Sequence, residues 1–341
     1  MFTLKKFILI IITTVLIFSL NDTALKALNI ENPYSHENMA HKDGSECSKI
    51  DFNEELVSKG FKEIKLGMTT EDIKCLVGEP DRVMVSEYGF KWHVYKKYKS
   101  TFFMIGINKQ QRVCGIYSNT NYNNLLNEIT LDSTNINYIR NNYKTEDIIN
   151  DKEEFDIIYK DGYILKLFYD IHNESTVTSY EIIKKNYFYK RNKFFNLIDG
   201  YTYNPLYNKE LEASFQLQMF DLINSEREAR GLSRIYYDLD RAHNSSKKHA
   251  DDMKNKAYFA HENLEGISPF DRMDAEDINS YAAGENLAGG QSSAIYAHEA
   301  LMNSKGHRDI ILNDNFKYVG IGVDFGGELH TYYVQNYYKE Y

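Results

Sequence analysis

Four side chains that can bind a metal or move a proton lie near one another in the sequence, within residues 258–308. They are His261 in the run YFAHENLEG, Glu285 in GENLAGG, and Glu299 and His307 in AHEALMNSKGHR. Imidazole nitrogen and carboxylate oxygen are both ordinary zinc ligands, and three protein ligands with one water make an open zinc site. A histidine paired with a glutamate can instead orient a water for acid–base chemistry.

The motifs of the common hydrolases are absent from this stretch. HENLE ends in Glu265 and HEALM ends in Met302, so neither is the HExxH of a zinc peptidase. The sequence has no GxSxG serine elbow, and its cysteines, Cys47, Cys75 and Cys114, all lie in the N-terminal half. The residues therefore favour binding over turnover, with a polar cleft that only fixes loops as the structural alternative.

The helices around these residues follow from the spacing of apolar side chains. Three amphipathic helices are predicted, at 215–230, 238–256 and 292–303. In the third helix the periodicity does not decide whether His298 or Glu299 faces inward. The alternating runs 318–323 and 331–337 flank a Gly-Gly pair, which predicts a hairpin. The C-terminal part is therefore predicted to consist of helices around a small antiparallel sheet.

Local features predict how three of the four side chains are presented. His261 follows a helix end and should lie on a loop that the two preceding aromatic residues pin to the core. A glycine precedes Glu285, so the backbone there can turn sharply or approach another segment closely. His307 opens a short helical turn, and the positive end of a helix favours its neutral imidazole.

The N-terminal half contains a doubled motif. The run IKLGMTTEDI from residue 64 is echoed by ITLDSTNINY from residue 129, and each places a threonine, Thr69 or Thr134, at a helix start. Strand-like alternation follows both copies. Two α+β repeats are predicted, at about 62–120 and 127–185. A disulfide between Cys75 and Cys114 is one option, and two separate buried cysteines are the other.

The N-terminus has the pattern of an export signal. Two lysines precede an apolar run from Phe7 to Leu20 that is shorter than the about 20 residues of a membrane span. Residues 1–27 are therefore predicted as a signal peptide or an uncleaved anchor, which places the protein outside the cell or on its surface. Nearly all of the net charge of −9 lies from Tyr201 onward, which argues against nucleic-acid binding.

Two family resemblances rest on specific motifs. KLGMT and VGEPDR in the doubled half resemble the CAP-associated N-terminal domain that precedes CAP domains in secreted proteins of Gram-positive bacteria. The pieces NSER, HADDM, YFAHEN, GEN, MNSKGHR and YVQNY resemble a CAP (SCP/PR1-like) domain in its disulfide-free bacterial form. The expected domains are 56–186 and 209–341, with linkers at 28–55 and 187–208.

The resemblance implies an α+β protein with a C-terminal α-β-α sandwich behind a doubled α+β repeat domain. It selects Glu299 over His298 and groups His261, Glu285, Glu299 and His307 as one cleft tetrad. The implied function is binding of zinc or another divalent metal, or of a small-molecule or lipid ligand, without established turnover.

Two other functions remain open from the sequence. One is a metal-dependent hydrolase or peptidase that uses the tetrad. The other is an envelope or spore-surface interaction protein whose N-terminal domain holds a cell-envelope or protein partner. Contact with a membrane is expected only through an uncleaved N-terminus.

Overall fold

Two sheets, each with its own helices, organise the chain in the computed structural model; the first is antiparallel, and the second is antiparallel except for one short parallel pair. The structure describes residues 50–98, 102–120, 129–144, 148, 153–189 and 208–341. The predicted signal segment and most of both linkers lie outside these ranges. In the described ranges, no helix is both long enough and apolar enough to cross a membrane.

The first domain, residues 50–189, is built on a seven-stranded sheet in the order β1-β2-β3-β4-β7-β6-β5. Its strands are β1 Arg82–Val85, β2 Lys91–Tyr95, β3 Phe103–Ile107, β4 Val113–Ser118, β5 Phe155–Lys160, β6 Tyr163–Asp170 and β7 Thr176–Lys184. Its helices are α1 Glu54–Glu63, α2 Thr70–Val77 and α3 Ile136–Asn142. Apolar side chains from α1, α2 and α3 pack on one face of this sheet and form its core.

The two halves of this sheet repeat the same turn geometry. Gly67 and Asp132 occupy matching positions of the doubled motif, and both have positive φ, 96° and 58°. Their N–H groups donate to Val113 O at 2.8 Å and Val177 O at 2.7 Å. The helix of the second half, α3, is capped by Asn135, one residue beyond the predicted threonine, because the Asn135 side chain accepts from the N–H of Tyr138 at 3.0 Å.

Cys75 and Cys114 follow neither option that the sequence left open. Cys75 is exposed and disulfide-bonded, so it is not a buried packing residue. Cys114 lies in β4, fully buried, with a free thiol, so no bridge joins it to Cys75. Burial raises the pKa of the Cys114 thiol to about 12, which keeps it protonated. It is therefore a small packing residue in the sheet.

The second domain, residues 208–341, is a four-stranded sheet in the order β8-β10-β11-β9 between helices. Its strands are β8 Tyr236–Tyr237, β9 Ser280–Gly289, β10 Tyr318–Phe325 and β11 Thr331–Glu340. Its helices are α4 Lys209–Ala229, α5 Arg241–Lys256, α6 Pro269–Asp274, α7 Ala294–Asn303 and α8 Lys305–Ile311. The predicted hairpin is formed by β10 and β11.

Alternation along β10 creates the layers of the predicted sandwich. Val319 and Ile321 face a core shared with α4 and α7. Gly320 and Gly322 face α5, where an added Cβ would overlap the helix backbone. Glycine is therefore needed there for close approach, and the α-β-α architecture is confirmed.

Buried charges join the first domain to α4 of the second. Asp221 has a fully buried side chain and pairs with Lys96 at 2.5 Å and with Arg82. Burial opposes its charge, but the two cations outweigh that effect and lower the pKa of Asp221. Ser214 of α4 also donates to Val85 O at 2.6 Å. These contacts fix α4 against the edge of the first sheet.

Candidate functional site

His261 lies on the loop after α5. The helix ends at Ala257, which adopts the left-handed conformation with φ of 53°. His249 Nε2 lies 2.9 Å from Ala260 O, and Arg272 donates to His261 O at 2.9 Å. The predicted pinning by two aromatic residues is wrong for Phe259, which is 45% exposed. Hydrogen bonds to the backbone hold this loop instead.

Glu285 lies within β9, opposite Asn336 of β11. Its side chain is 1% exposed, and its two oxygens accept from His261 Nδ1 at 2.9 Å and Arg272 Nη2 at 2.8 Å. The sequence allowed either a sharp turn or a close approach at the preceding glycine, and the structure has the close approach, against Phe316. A buried carboxylate therefore fixes the ring of a histidine that is itself 53% exposed.

His307 is the second imidazole beside this pair. Its Nδ1 lies 2.7 Å from Ser304 Oγ, and its carbonyl accepts from Asn286 Nδ2 at 3.1 Å. Burial lowers the pKa of His307, and a positive charge on His261 lowers it further. The neutral imidazole predicted from the sequence is therefore favoured, with burial as the main cause. We call His261, Glu285, Ser304 and His307 the histidine cleft.

Glu299 makes its contacts elsewhere, against the first domain. Its Oε1 lies 2.5 Å from Ser179 Oγ of β7. It lines a small cavity between the domains together with Asp170, Glu226 and Arg230. The structure thus brings together three of the four expected side chains and places Glu299 in a separate group.

This second group, which we call the interdomain cluster, consists of Asp170, Glu226, Arg230, Glu299 and Arg308. Arg308 pairs with Asp170 at 2.6 Å, and Arg230 pairs with Glu226. Burial, followed by the negative charge of Glu226, raises the pKa of Glu299 to about 8. Protonated Glu299 leaves two carboxylates facing two guanidinium groups, so the cluster is electrically balanced near neutral pH.

The alternative inward residue of α7, His298, is also buried, at 1% exposure. Burial lowers its pKa to about 4, so it is neutral at physiological pH. Both His298 and Glu299 therefore face protein. The periodicity of α7 was ambiguous because the helix packs against its own domain on one side and against the first domain on the other.

Comparison with known families matches both domains. Residues 66–194 match the CAP-associated N-terminal family, and residues 220–337 match the cysteine-rich secretory protein family, CAP. The chain is a CAP-domain protein. Its doubled first domain is the CAP-associated N-terminal domain that the sequence motifs predicted.

Two relatives from the Gram-positive bacterium Bacillus subtilis support a Gram-positive origin. The membrane protein YlbC of Bacillus subtilis is 26% identical over 294 residues, which cover 81% of this chain and 83% of YlbC. YkwD of the same bacterium is 37% identical over 119 residues, covering 35% of this chain and 46% of YkwD.

Two solved structures share the fold. An extracellular SCP-domain protein from Bacillus anthracis has a TM-score of 0.65 at 20% identity and covers 90% of this chain and 99% of its own. A cysteine-rich secretory protein from Staphylococcus aureus has a TM-score of 0.60 at 16% identity, and the match covers 81% of this chain and 91% of the other. At these identities the likeness concerns the fold alone.

The histidine cleft of the CAP domain does not fit zinc held by three side chains. Both oxygens of Glu285 are already bound, and the guanidinium of Arg272 lies beside them. Among the described residues, no group of three or more His, Cys, Asp or Glu is arranged to hold a metal ion. Within the histidine cleft, His261 and His307 each leave one ring nitrogen for a ligand, which is fewer than the three protein ligands of an open zinc site.

Sequence reasoning missed two residues, Ser304 of the histidine cleft and Arg272 beside it. Ser304 lies three positions before His307, so the helical spacing of the pair was a usable signal. Arg272 reaches Glu285 from α6, and nothing in its sequence context marks it. Its role depends on the fold, because it also binds the backbone of the His261 loop.

Proposed function

We propose that this protein is exported and that its histidine cleft binds a ligand through the two imidazoles without turning it over. The observation that carries the proposal is the chain of contacts from Arg272 through buried Glu285 to exposed His261. Because Nδ1 of His261 donates to Glu285, its Nε2 is the nitrogen left for a ligand. A buried group that orients an exposed one is typical of a preorganised site.

His307 supplies the second nitrogen. Its Nδ1 is engaged by Ser304, and its lowered pKa favours the neutral ring, which can accept a hydrogen bond or a metal through Nε2. Two imidazoles suit a small ligand with polar groups, or a divalent ion that completes its coordination with water. Such an ion would bind more weakly than zinc in a three-ligand site.

Export is supported by the signal-like N-terminal sequence. YlbC carries the description of a membrane protein, which agrees with anchoring through an uncleaved N-terminus. The protein would then act at the cell surface. A cell-envelope partner for the CAP-associated domain stays a prediction.

Calorimetric titration with zinc alone tests the cleft. We expect a heat signal from the whole exported chain that is lost in His261→Ala/His307→Ala. His330→Asn is the matched control, because His330 is exposed, lies outside the cleft and has a φ of 63° that asparagine tolerates. Equal heats from the double variant would contradict binding by the two imidazoles, and a flat trace from the unmodified protein would exclude zinc as the ligand.

Hydrolysis is the second candidate, and one contact favours it. Ser304 Oγ and His307 Nδ1 are 2.7 Å apart, the separation of a nucleophile and its general base. Turnover of a model ester that disappears in Ser304→Ala and in His307→Ala would establish this candidate. Turnover that survives both changes would place the activity elsewhere.

A further inference from the structure

Four large apolar side chains are exposed around the loop that carries His261. Phe259, Leu264, Ile267 and Phe270 are 45%, 64%, 41% and 54% exposed. They lie within twelve consecutive positions, while the other large exposed apolar residues are scattered along the described chain. A concentration of this kind is typical of an interaction site. We call these four side chains the apolar loop surface.

The backbone under this surface is rigidly held. Asn263 Oδ1 accepts from the N–H groups of Glu265 at 3.1 Å and Ile267 at 2.8 Å. Arg272 donates to Ile267 O at 3.0 Å as well as to the His261 carbonyl, which ties the two ends of the loop together. Docking on such a preorganised loop costs little conformational entropy.

The same loop is negatively charged. Glu262, Glu265, Asp271 and Asp274 lie in or beside it, all on exposed positions. Hydrogen bonds from Ser268 lower the pKa of Asp271, so that carboxylate stays ionised. Lys256 pairs with Glu265 at 2.6 Å and also with Asp252 at 2.8 Å, and the guanidinium of Arg272 is committed to Glu285. The surface therefore combines exposed apolar groups with a net negative charge.

We propose that the apolar loop surface docks a peptide segment in which apolar side chains alternate with lysine or arginine. Apolar groups of the segment would cover Leu264 and Phe270, while its cations would meet the surrounding carboxylates. The acidic rim disfavours an anionic lipid surface, which would be repelled. The docking uses neither imidazole of the histidine cleft, so it goes beyond the ligand site proposed above.

Fluorescence anisotropy with a labelled leucine–lysine peptide tests this proposal on the whole exported chain. We expect saturable binding that weakens at least about tenfold in Leu264→Ser/Phe270→Ser, since exposed anchors of this size dominate interface affinity. Tyr281→Ser is the matched control, because Tyr281 is 67% exposed outside the loop. It should bind as the unmodified protein does, and so should His261→Ala/His307→Ala.

Charge and lipid controls complete the experiment. Glu262→Gln/Glu265→Gln should weaken binding and reduce its salt dependence. A peptide with serine in place of leucine, or with glutamate in place of lysine, should bind at least about tenfold more weakly. The proposal is overturned if the leucine–lysine peptide does not bind or if Leu264→Ser/Phe270→Ser binds it equally well. Sedimentation with phosphatidylglycerol vesicles that depends on the same two residues would likewise overturn it in favour of a membrane.

Discussion

Glu299→Gln tests whether Glu299 is protonated in the interdomain cluster and takes no part in the histidine cleft. In the folded chain, burial and the charge of Glu226 raise the pKa of Glu299 from 4.5 to about 8, and Ser179 Oγ lies 2.5 Å from its carboxyl group. In the unfolded chain the same group titrates near its ordinary value. Between these two pH values the folded state holds a proton that the unfolded state has released.

This difference in the pKa of Glu299 between the folded and unfolded chain fixes both the sign and the size of the pH dependence of stability. Stability falls as pH rises from 4.5 toward 8, by about 1.4 kcal/mol per pH unit. The loss amounts to about 3 kcal/mol at pH 7 and about 5 kcal/mol by pH 8, as orders of magnitude. Glutamine has the shape of the protonated acid and does not titrate. We therefore expect Glu299→Gln to match the unmodified protein near pH 4 and to be several kcal/mol more stable near pH 8.

Urea denaturation at a series of pH values measures the difference. Glu262→Gln is the control, because Glu262 is exposed and outside the interdomain cluster. Parallel stability curves for Glu299→Gln and the unmodified protein would refute the argument, because Glu299 would then titrate alike in both states. The same variant should leave zinc binding unchanged, and a loss of that binding would return Glu299 to the histidine cleft.

Two further predictions concern packing and charge. Asp221→Asn should cost about 3 kcal/mol in urea denaturation, because it leaves Arg82 and Lys96 without their buried partner, and a cost well under about 1 kcal/mol would contradict a structural role for this contact. Gly320→Ala should cost about 3 kcal/mol because its Cβ would overlap the backbone of α5 at Ala242. Gly306→Ala is its control, with nothing within 4 Å of an added Cβ, and equal melting temperatures for the two variants would refute the packing argument.

His261→Ala gives a prediction inside the cleft. It removes a positive charge that contributes to lowering the pKa of His307, so that pKa should rise toward its ordinary value. Histidine ring resonances followed by NMR across a pH titration measure the change. An unchanged His307 titration would show that the two rings do not interact.

Much of the fold was predictable because it depends on local patterns. Apolar spacing predicted α4, α5 and α7, and alternation around a Gly-Gly pair predicted the hairpin of β10 and β11. The repeated motif of the first domain is expressed locally too, in the matching turns at Gly67 and Asp132. The cap of α3 was misplaced by one residue because threonine and asparagine adjoin there and both are good caps.

The sequence by itself predicted that His261 lies on a loop and His307 at a helix start, and its motifs predicted a CAP domain, whereas the strand that carries Glu285 came from the structure. Only the tertiary structure decided that Glu299 leaves this group, because α7 is covered by the first domain, whose Asp170 and Ser179 lie far from α7 in the sequence. The same holds for Arg272, which reaches Glu285 across the fold. The spacing of apolar residues along a helix shows which of its faces are buried. Which residues cover each face depends on how separate domains pack.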